Sequence, residues 1–167
     1  MANTFELIAS STAGSGGVSS FTFSSIPSTY TDLNLVLSLR SGSGDDYFSF
    51  ALNSSTSSFS LRQLYATGSG AGSTSRSDGL LTATQVPSSY TASTFSSVSM
   101  YIPNYAGSTN KSISLDAVLE NNATGTQMAL DAILWSNTAA INRIDVTHPS
   151  STFVQYSTAY LYGVKNA

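Results

Sequence analysis

The stretch DLNLVLSLR, residues 32–40, alternates with a period of two. Leu33, Leu35, Leu37 and Leu39 fall on one side of an extended chain and Asp32, Asn34, Ser38 and Arg40 on the other, because successive strand side chains point to opposite faces. That is the pattern of a half-buried strand, and it decides the class of the fold. KSISLDAVLE, residues 111–120, repeats it with Ile113, Leu115, Ala117 and Leu119 expected inward and Ser112, Ser114, Asp116 and Glu120 outward, Val118 being the apolar exception. MALDAILW, residues 128–135, is read the same way, with Met128, Leu130, Ala132 and Leu134 inward.

Eight further segments read as strands between clusters of Gly, Pro, Ser or Asn: FELIAS, SFTF, DYFSFALN, SFSLRQLY, GLLTATQV, TFSSVSMYIP, INRIDV and TAYLYGV. No window combines the helical i, i+3, i+4, i+7 spacing with a cap, and NTAAINR supplies at most a single helical turn. About ten or eleven short strands without intervening helices predict an all-β chain, an antiparallel β-sandwich of jelly-roll type with extra edge strands. With no composition shift and no internal repeat, residues 1–167 are expected to form one domain, large enough to bury roughly 70% of its unfolded surface.

The remaining stretches read as joints. GSGG at 14–17, SGSGDD at 41–46 and NNATGT at 121–126 carry the residues that accept positive φ. In IPNYAGSTNKSISLDAVLE, residues 102–120, Asn104, Gly107 and Asn110 are expected to turn the chain between two paired strands. TGSGAGSTSRSD, residues 67–78, has no apolar anchor except Ala71 and reads as a flexible surface loop, with ordering against a neighbouring subunit as the alternative.

Composition narrows the function. Charged residues make up 9% of the chain against a usual value of about 25%, while Ser and Thr supply about a third. With 41% hydrophobic residues and a net charge of -3 the chain is expected to fold, and six scattered Lys and Arg give no footprint for nucleic acid. There is no Cys for disulfides or thiolate metal sites, and no apolar run near 18 residues for a membrane helix. The N-terminus lacks the basic and apolar segments of a secretory signal, so Met1 reads as a true start and classical secretion is not expected.

Catalytic constellations are thin. His148, the single histidine, precedes Pro149 and reads as an exposed loop residue; a triad with Asp145 or Asp131 and one of the serines lacks a G-x-S-x-G elbow. Asp45 and Asp46 are the candidates for a hard-cation site, with two solvated turn acids as the simpler reading. Glu6, Asp116, Glu120 and Asp131 fall on different strands, where two of them could meet as a glycosidase pair. GSGAG at 68–72 lacks the Lys and helix of a phosphate loop, and STNK at 108–111 matches S-x-x-K without companion motifs. N-S-S, N-K-S and N-A-T, beginning at Asn53, Asn110 and Asn122, read as turn residues rather than glycosylation acceptors. No enzyme activity, cofactor or metal is expected.

Tyrosine is the conspicuous aromatic: Tyr30, Tyr47, Tyr65, Tyr90, Tyr101, Tyr105, Tyr156, Tyr160 and Tyr162, against the single Trp135. A flat apolar ring with a hydroxyl suits subunit contacts and sugar stacking alike. Tyr90, Tyr101, Tyr105, Tyr156 and Tyr160 are the candidate contact residues, for an interface first and a glycan second. Loops around Asn53, Ser73 and Asn121 are expected to face outward.

Three stretches carry a resemblance that spans most of the chain: MANTFELIASSTAGSGG with FSSIPSTYTDL, the central YIPNYAGSTNKS, and the closing FVQYSTAYLYGVKNA. Together they resemble small virion structural proteins of tailed bacteriophages, of the type found in marine and cyanobacterial phages. The closing pattern F-x-x-x-S-T-A-x-L-Y-G falls on Phe153, Ser157, Thr158, Ala159, Leu161, Tyr162 and Gly163, and such modules commonly carry Gly where Tyr156 stands. The departure questions the shared turn geometry, since Gly takes positive φ freely and Tyr does not.

The resemblance implies a non-enzymatic β-sandwich made in the host cytoplasm and carried on the virion surface. It would assemble as a homo-oligomer, a trimer by expectation, on the major capsid protein as a decoration or cement protein. The alternative is a tail-fibre or baseplate module among tail proteins, binding host surface polysaccharide. Neither nucleic acid nor membrane is expected as a partner.

Overall fold

The computed structural model describes residues 4–77, 81–121 and 125–165. These residues form twelve strands and no helix: β1 (Phe5–Thr12), β2 (Ser20–Ser24), β3 (Asp32–Ser38), β4 (Tyr47–Leu52), β5 (Phe59–Thr67), β6 (Gly70–Arg76), β7 (Leu81–Thr84), β8 (Ser97–Ile102), β9 (Lys111–Glu120), β10 (Thr126–Trp135), β11 (Arg143–Thr147) and β12 (Thr158–Val164). Eight join in one sheet in the order β1-β12-β3-β8-β9-β10-β5-β6, and four in a second in the order β2-β11-β4-β7. Every strand pairing is antiparallel.

The pairing is nested. β1 pairs with β12, β2 with β11, β3 with β8 and β4 with β7, as in a long hairpin folded over on itself. The β5–β6 and β9–β10 hairpins then lengthen the first sheet beyond β8. One core fills the space between the sheets, with Phe21 and Phe23 of β2, Phe48, Phe50 and Leu52 of β4, and Ile144 and Val146 of β11 meeting Leu33, Leu35 and Leu37 of β3 and Val98, Met100 and Ile102 of β8. The alternation of residues 32–40 is thus the inner and outer faces of a half-buried strand, as read. Arg40 is the exception: it lies past the strand end and is buried rather than outward.

Two further expectations are overturned. Residues 70–76 form β6, a regular edge strand paired with β5 over seven positions, not a loop. Its side chains are too small for hydropathy to register, yet ladder bonds come from the backbone and need none of them. Tyr65 supplies the missing cover by lying over its cross-strand partner Gly72, where a Cβ would meet the ring at 2.8 Å.

The second correction concerns β10, whose register is opposite to the one expected. Ala129, Asp131, Ile133 and Trp135 point inward, while Met128, Leu130 and Leu134 are exposed on the outer face. Both parities of MALDAILW are apolar, and a period-two pattern cannot choose between them. Packing chooses: Trp135 stacks on Phe59 with ring centroids 6.0 Å apart, burying the larger surface. β9 keeps the expected register, Val118 outward included. NTAAINR forms no helical turn.

Candidate functional site

The outer face of the long sheet changes character along its strand order. Over β12, β3 and β8 it carries Tyr160, Tyr162, Asn34, Val36, Ser99 and Tyr101, all half-buried. Over β9, β10 and β5 it becomes an apolar strip of Val118, Met128, Leu130, Leu134 and Leu64. Leu64 is 62% exposed, Leu130 57% and Met128 56%, values that belong to unpartnered side chains. Register brings them together: Leu130 faces Leu64 across one strand pair, and Met128 lies between Val118 and Ala66. Directly opposed residues sit about 5 Å apart, so these side chains form one patch rather than scattered exceptions.

Two adjoining depressions mark the same surface, about 860 Å³ and about 340 Å³ in volume, sharing Leu64 and Leu130 in their walls. The larger is rimmed by Tyr101, Arg62, Ser112, Ser114, Ser73 and Ser75, the smaller by Asp116. An apolar floor with a hydroxyl rim and little charge is a surface that loses little when water is removed from it.

Of the five candidate tyrosines, Tyr101 and Tyr160 lie on this outer face, half-buried. The Tyr101 hydroxyl donates to Asp32 Oδ2 at 2.5 Å, and that bond to the carboxylate pushes the phenol above its ordinary pKa. Tyr90 lies in the 87–96 loop with its ring against Gly125. Tyr105 is a core residue, fully buried, and cannot be the exposed contact expected of it. Its hydroxyl donates to the Pro27 carbonyl and its own carbonyl accepts from Ile141 N at 3.0 Å. The 104–110 tip is therefore a joint: Asn104 takes φ 48°, its N–H donates to Asp32 Oδ1, and its carbonyl accepts from Gly107 N. Lys111 closes the tip from inside, its buried ammonium donating to Gly107 O at 2.7 Å and Thr109 O at 2.5 Å, with burial lowering its pKa.

Tyr156 is 68% exposed and holds φ 73° at the third position of the turn closed by Ser157 N donating to Val154 O. A tyrosine thus holds a left-handed backbone position that glycine takes without strain, at a cost. Gly163, the penultimate residue of β12, is required by the Tyr30 ring packed against it.

His148 is buried, not an exposed loop residue. Its Nδ1 accepts from Ser151 N at 2.9 Å and Ser150 N at 3.3 Å, so the ring proton is on Nε2, which donates to Ser41 Oγ 2.7 Å away. A general base for Ser41 would need a free Nε2 lone pair, the opposite tautomer, and Ser41 itself is fully buried. Burial holds the imidazole below its ordinary pKa. Asp45 accepts from Ser43 Oγ at 2.7 Å and from Ser150 Oγ, and these bonds lower its pKa.

The other acids are kept apart. Asp145 is held by Arg143, with Nη2 to Oδ1 at 2.6 Å, and by Thr22. Glu6 of β1 pairs with Lys165, which lies just past the end of β12. Asp116 points outward from β9 while Asp131 points inward from the neighbouring β10, so they cannot share a substrate. Among the described residues no three acids or histidines are grouped to hold a metal.

Of the outward loops, Asn53 is a structural cap whose Oδ1 accepts from Asn142 N at 2.9 Å and Arg143 N at 3.2 Å, Ser73 lies on β6, and Asn121 is buried. Asn122 lies outside the described residues.

Sequence reasoning missed the strip because it placed Met128, Leu130 and Leu134 in the core. The signal was present in a strand apolar on both parities, one of which had to face outward if the other packed on the core. It also missed Arg40, whose guanidinium donates to the carbonyls of Ser88, Tyr90, Thr91 and Thr94 and so ties the 87–96 loop to the end of β3. Comparison with family models, curated proteins and solved structures gives no match to this chain.

Proposed function

We propose that this chain is a non-enzymatic structural protein of a phage virion, a homo-oligomer that decorates or cements the capsid surface. The observation that carries the reading is the apolar strip of Leu64, Met128, Leu130 and Val118, exposed beside a hydroxyl-rich rim on the outer face of the long sheet. Such a face loses little on desolvation and gains contact area, which suits docking onto a major capsid protein. The nested strand pairing supports reading the eight-strand frame as a jelly roll, and the resemblance of the terminal and central stretches supports the virion setting. Purified virions stripped of surface proteins should release this chain and lose resistance to heat. Retention of the chain on the tail, with stripped heads as stable as intact ones, contradicts the cementing role.

A second reading is a tail-fibre or baseplate module that binds host surface polysaccharide. It is favoured by the 860 Å³ depression, where the Tyr101 ring, Arg62 and the hydroxyls of Ser112 and Ser114 line one concave surface. Saturable binding on a glycan array, weakened by Tyr101→Ala, supports it. An array without signal removes it.

A further inference from the structure

The long sheet ends at β6, and among the described residues no strand pairs with its far side. Sheet edges are templates for further pairing, and folded chains blunt them with bulges, charge, proline or shortness. The other three edges here are blunted. β1 carries a register shift between Leu7 and Ala9 and the Glu6–Lys165 ion pair, while β2 and β7 are five and four residues long. β6 pairs with β5 at seven consecutive positions without a shift, and up to Arg76 it consists only of Gly, Ala, Ser and Thr.

We propose that β6 pairs antiparallel with β6 of a second copy of this chain, about a two-fold axis at Ser73. The inference rests on the homo-oligomeric reading above and names its contact. Gly68 and Ser69 make a two-residue turn, so Thr67 and Gly70 are the closing hydrogen-bonded pair of the hairpin. By alternation the N–H and C=O groups of Ala71, Ser73 and Ser75 point away from β5.

Those three positions are symmetric about Ser73. In a two-fold pairing Ser73 meets Ser73, and Ala71 meets Ser75 of the second copy, each exchanging the outward backbone bonds. Gly72 then faces Thr74 and Gly70 faces Arg76, so nothing bulky or like-charged collides. The two Arg76 positions fall about 20 Å apart along the strands, well beyond a screening length of about 8 Å. The same pairing sets two apolar strips side by side on one continuous sheet face, each with Leu64 next to Ser73 of its own β6.

The chain has no Cys, which makes a single-cysteine test clean. Opposed residues of a hydrogen-bonded pair lie about 5.5 Å apart at Cα, within disulfide range. Ser73→Cys is expected to form a dimer of twice the monomer mass on mild oxidation. Ala71→Cys alone is expected to stay monomeric on denaturing gels, because its partner position is 75; an equal mixture with Ser75→Cys should cross-link.

Sedimentation of the unmodified chain separates the two levels of the claim. A dimer with the S73C cross-link supports both. An oligomer without that cross-link, or with A71C linking as fast as S73C, overturns the β6 contact and leaves the oligomer standing. A closed trimer likewise overturns the two-fold contact. A monomer at every concentration overturns both.

Discussion

His148 and Ser41 form a buried pair, Nε2 to Oγ 2.7 Å, that joins the loop after β11 to the segment after β3. The ring also receives two backbone N–H groups on Nδ1. His148→Ala should therefore destabilise the fold by about 2–3 kcal/mol, by leaving those two donors without their acceptor and opening a cavity beside Ser41, whose hydroxyl keeps Ser43 as a partner. Because the folded pKa lies below the unfolded value of 6.5, the stabilisation is complete above pH 6.5. It falls as the pH drops through that value toward the folded pKa. Denaturant melts of wild type and H148A from pH 7.5 to 5 should converge; parallel curves would show that the ring titrates as in the unfolded chain.

Asp131 carries the opposite sign. It is 1% exposed, neither carboxylate oxygen has a hydrogen-bond partner, and burial raises its pKa to about 6 despite Gln63 opposite it and Arg76 nearby. A raised folded pKa means that its favourable contribution is complete below about 3.8 and lost as the pH rises through 6. The shift corresponds to about 3 kcal/mol at neutral pH. Asp131→Asn should therefore stabilise the protein at pH 7.5 by up to that amount and lose its advantage near pH 4. A destabilised D131N at pH 7.5 would mean that the charge has found a partner.

Tyr156 and Gly17 make a matched pair of backbone tests. Tyr156 holds φ 73° while exposed, so Tyr156→Gly should raise stability by about 1 kcal/mol, a gain of about 2–4 °C in Tm. Gly17 holds φ 69° against the Phe153 carbonyl, which an added Cβ would meet at 2.7 Å, so Gly17→Ala should unfold the protein more easily. If Y156G also reduces attachment to virions, the strained ring is a contact residue as well.

The apolar strip separates folding from association. Leu115→Ala opens the core and should cost about 2–5 kcal/mol. Leu64→Ser and Leu130→Ser remove exposed side chains and should cost under about 1 kcal/mol; under the proposed cementing role they should also weaken attachment to stripped capsids. Equal thermal losses in L64S and L115A would contradict the exposed placement of Leu64.

Local pattern was enough to identify eleven of the twelve strands, the antiparallel two-layer class, and the inward faces of β3 and β9, because alternation of apolar and polar side chains is written into Leu33–Leu39 and Ile113–Leu119 directly. It failed where that signal is silent or doubled. β6 has nothing apolar to alternate, and β10 is apolar on both sides, so its register follows from Trp135 reaching Phe59 across the sheet. Polar residues were misjudged for a related reason. Whether Arg40, Lys111, Tyr105 and His148 meet water or a ring of carbonyls depends on segments distant in the chain, and only the closed sandwich brings those segments together. The chain order thus determined what could be a strand, and the packed structure decided which side of each strand became surface, since burial is settled by three-dimensional neighbours that no period can name.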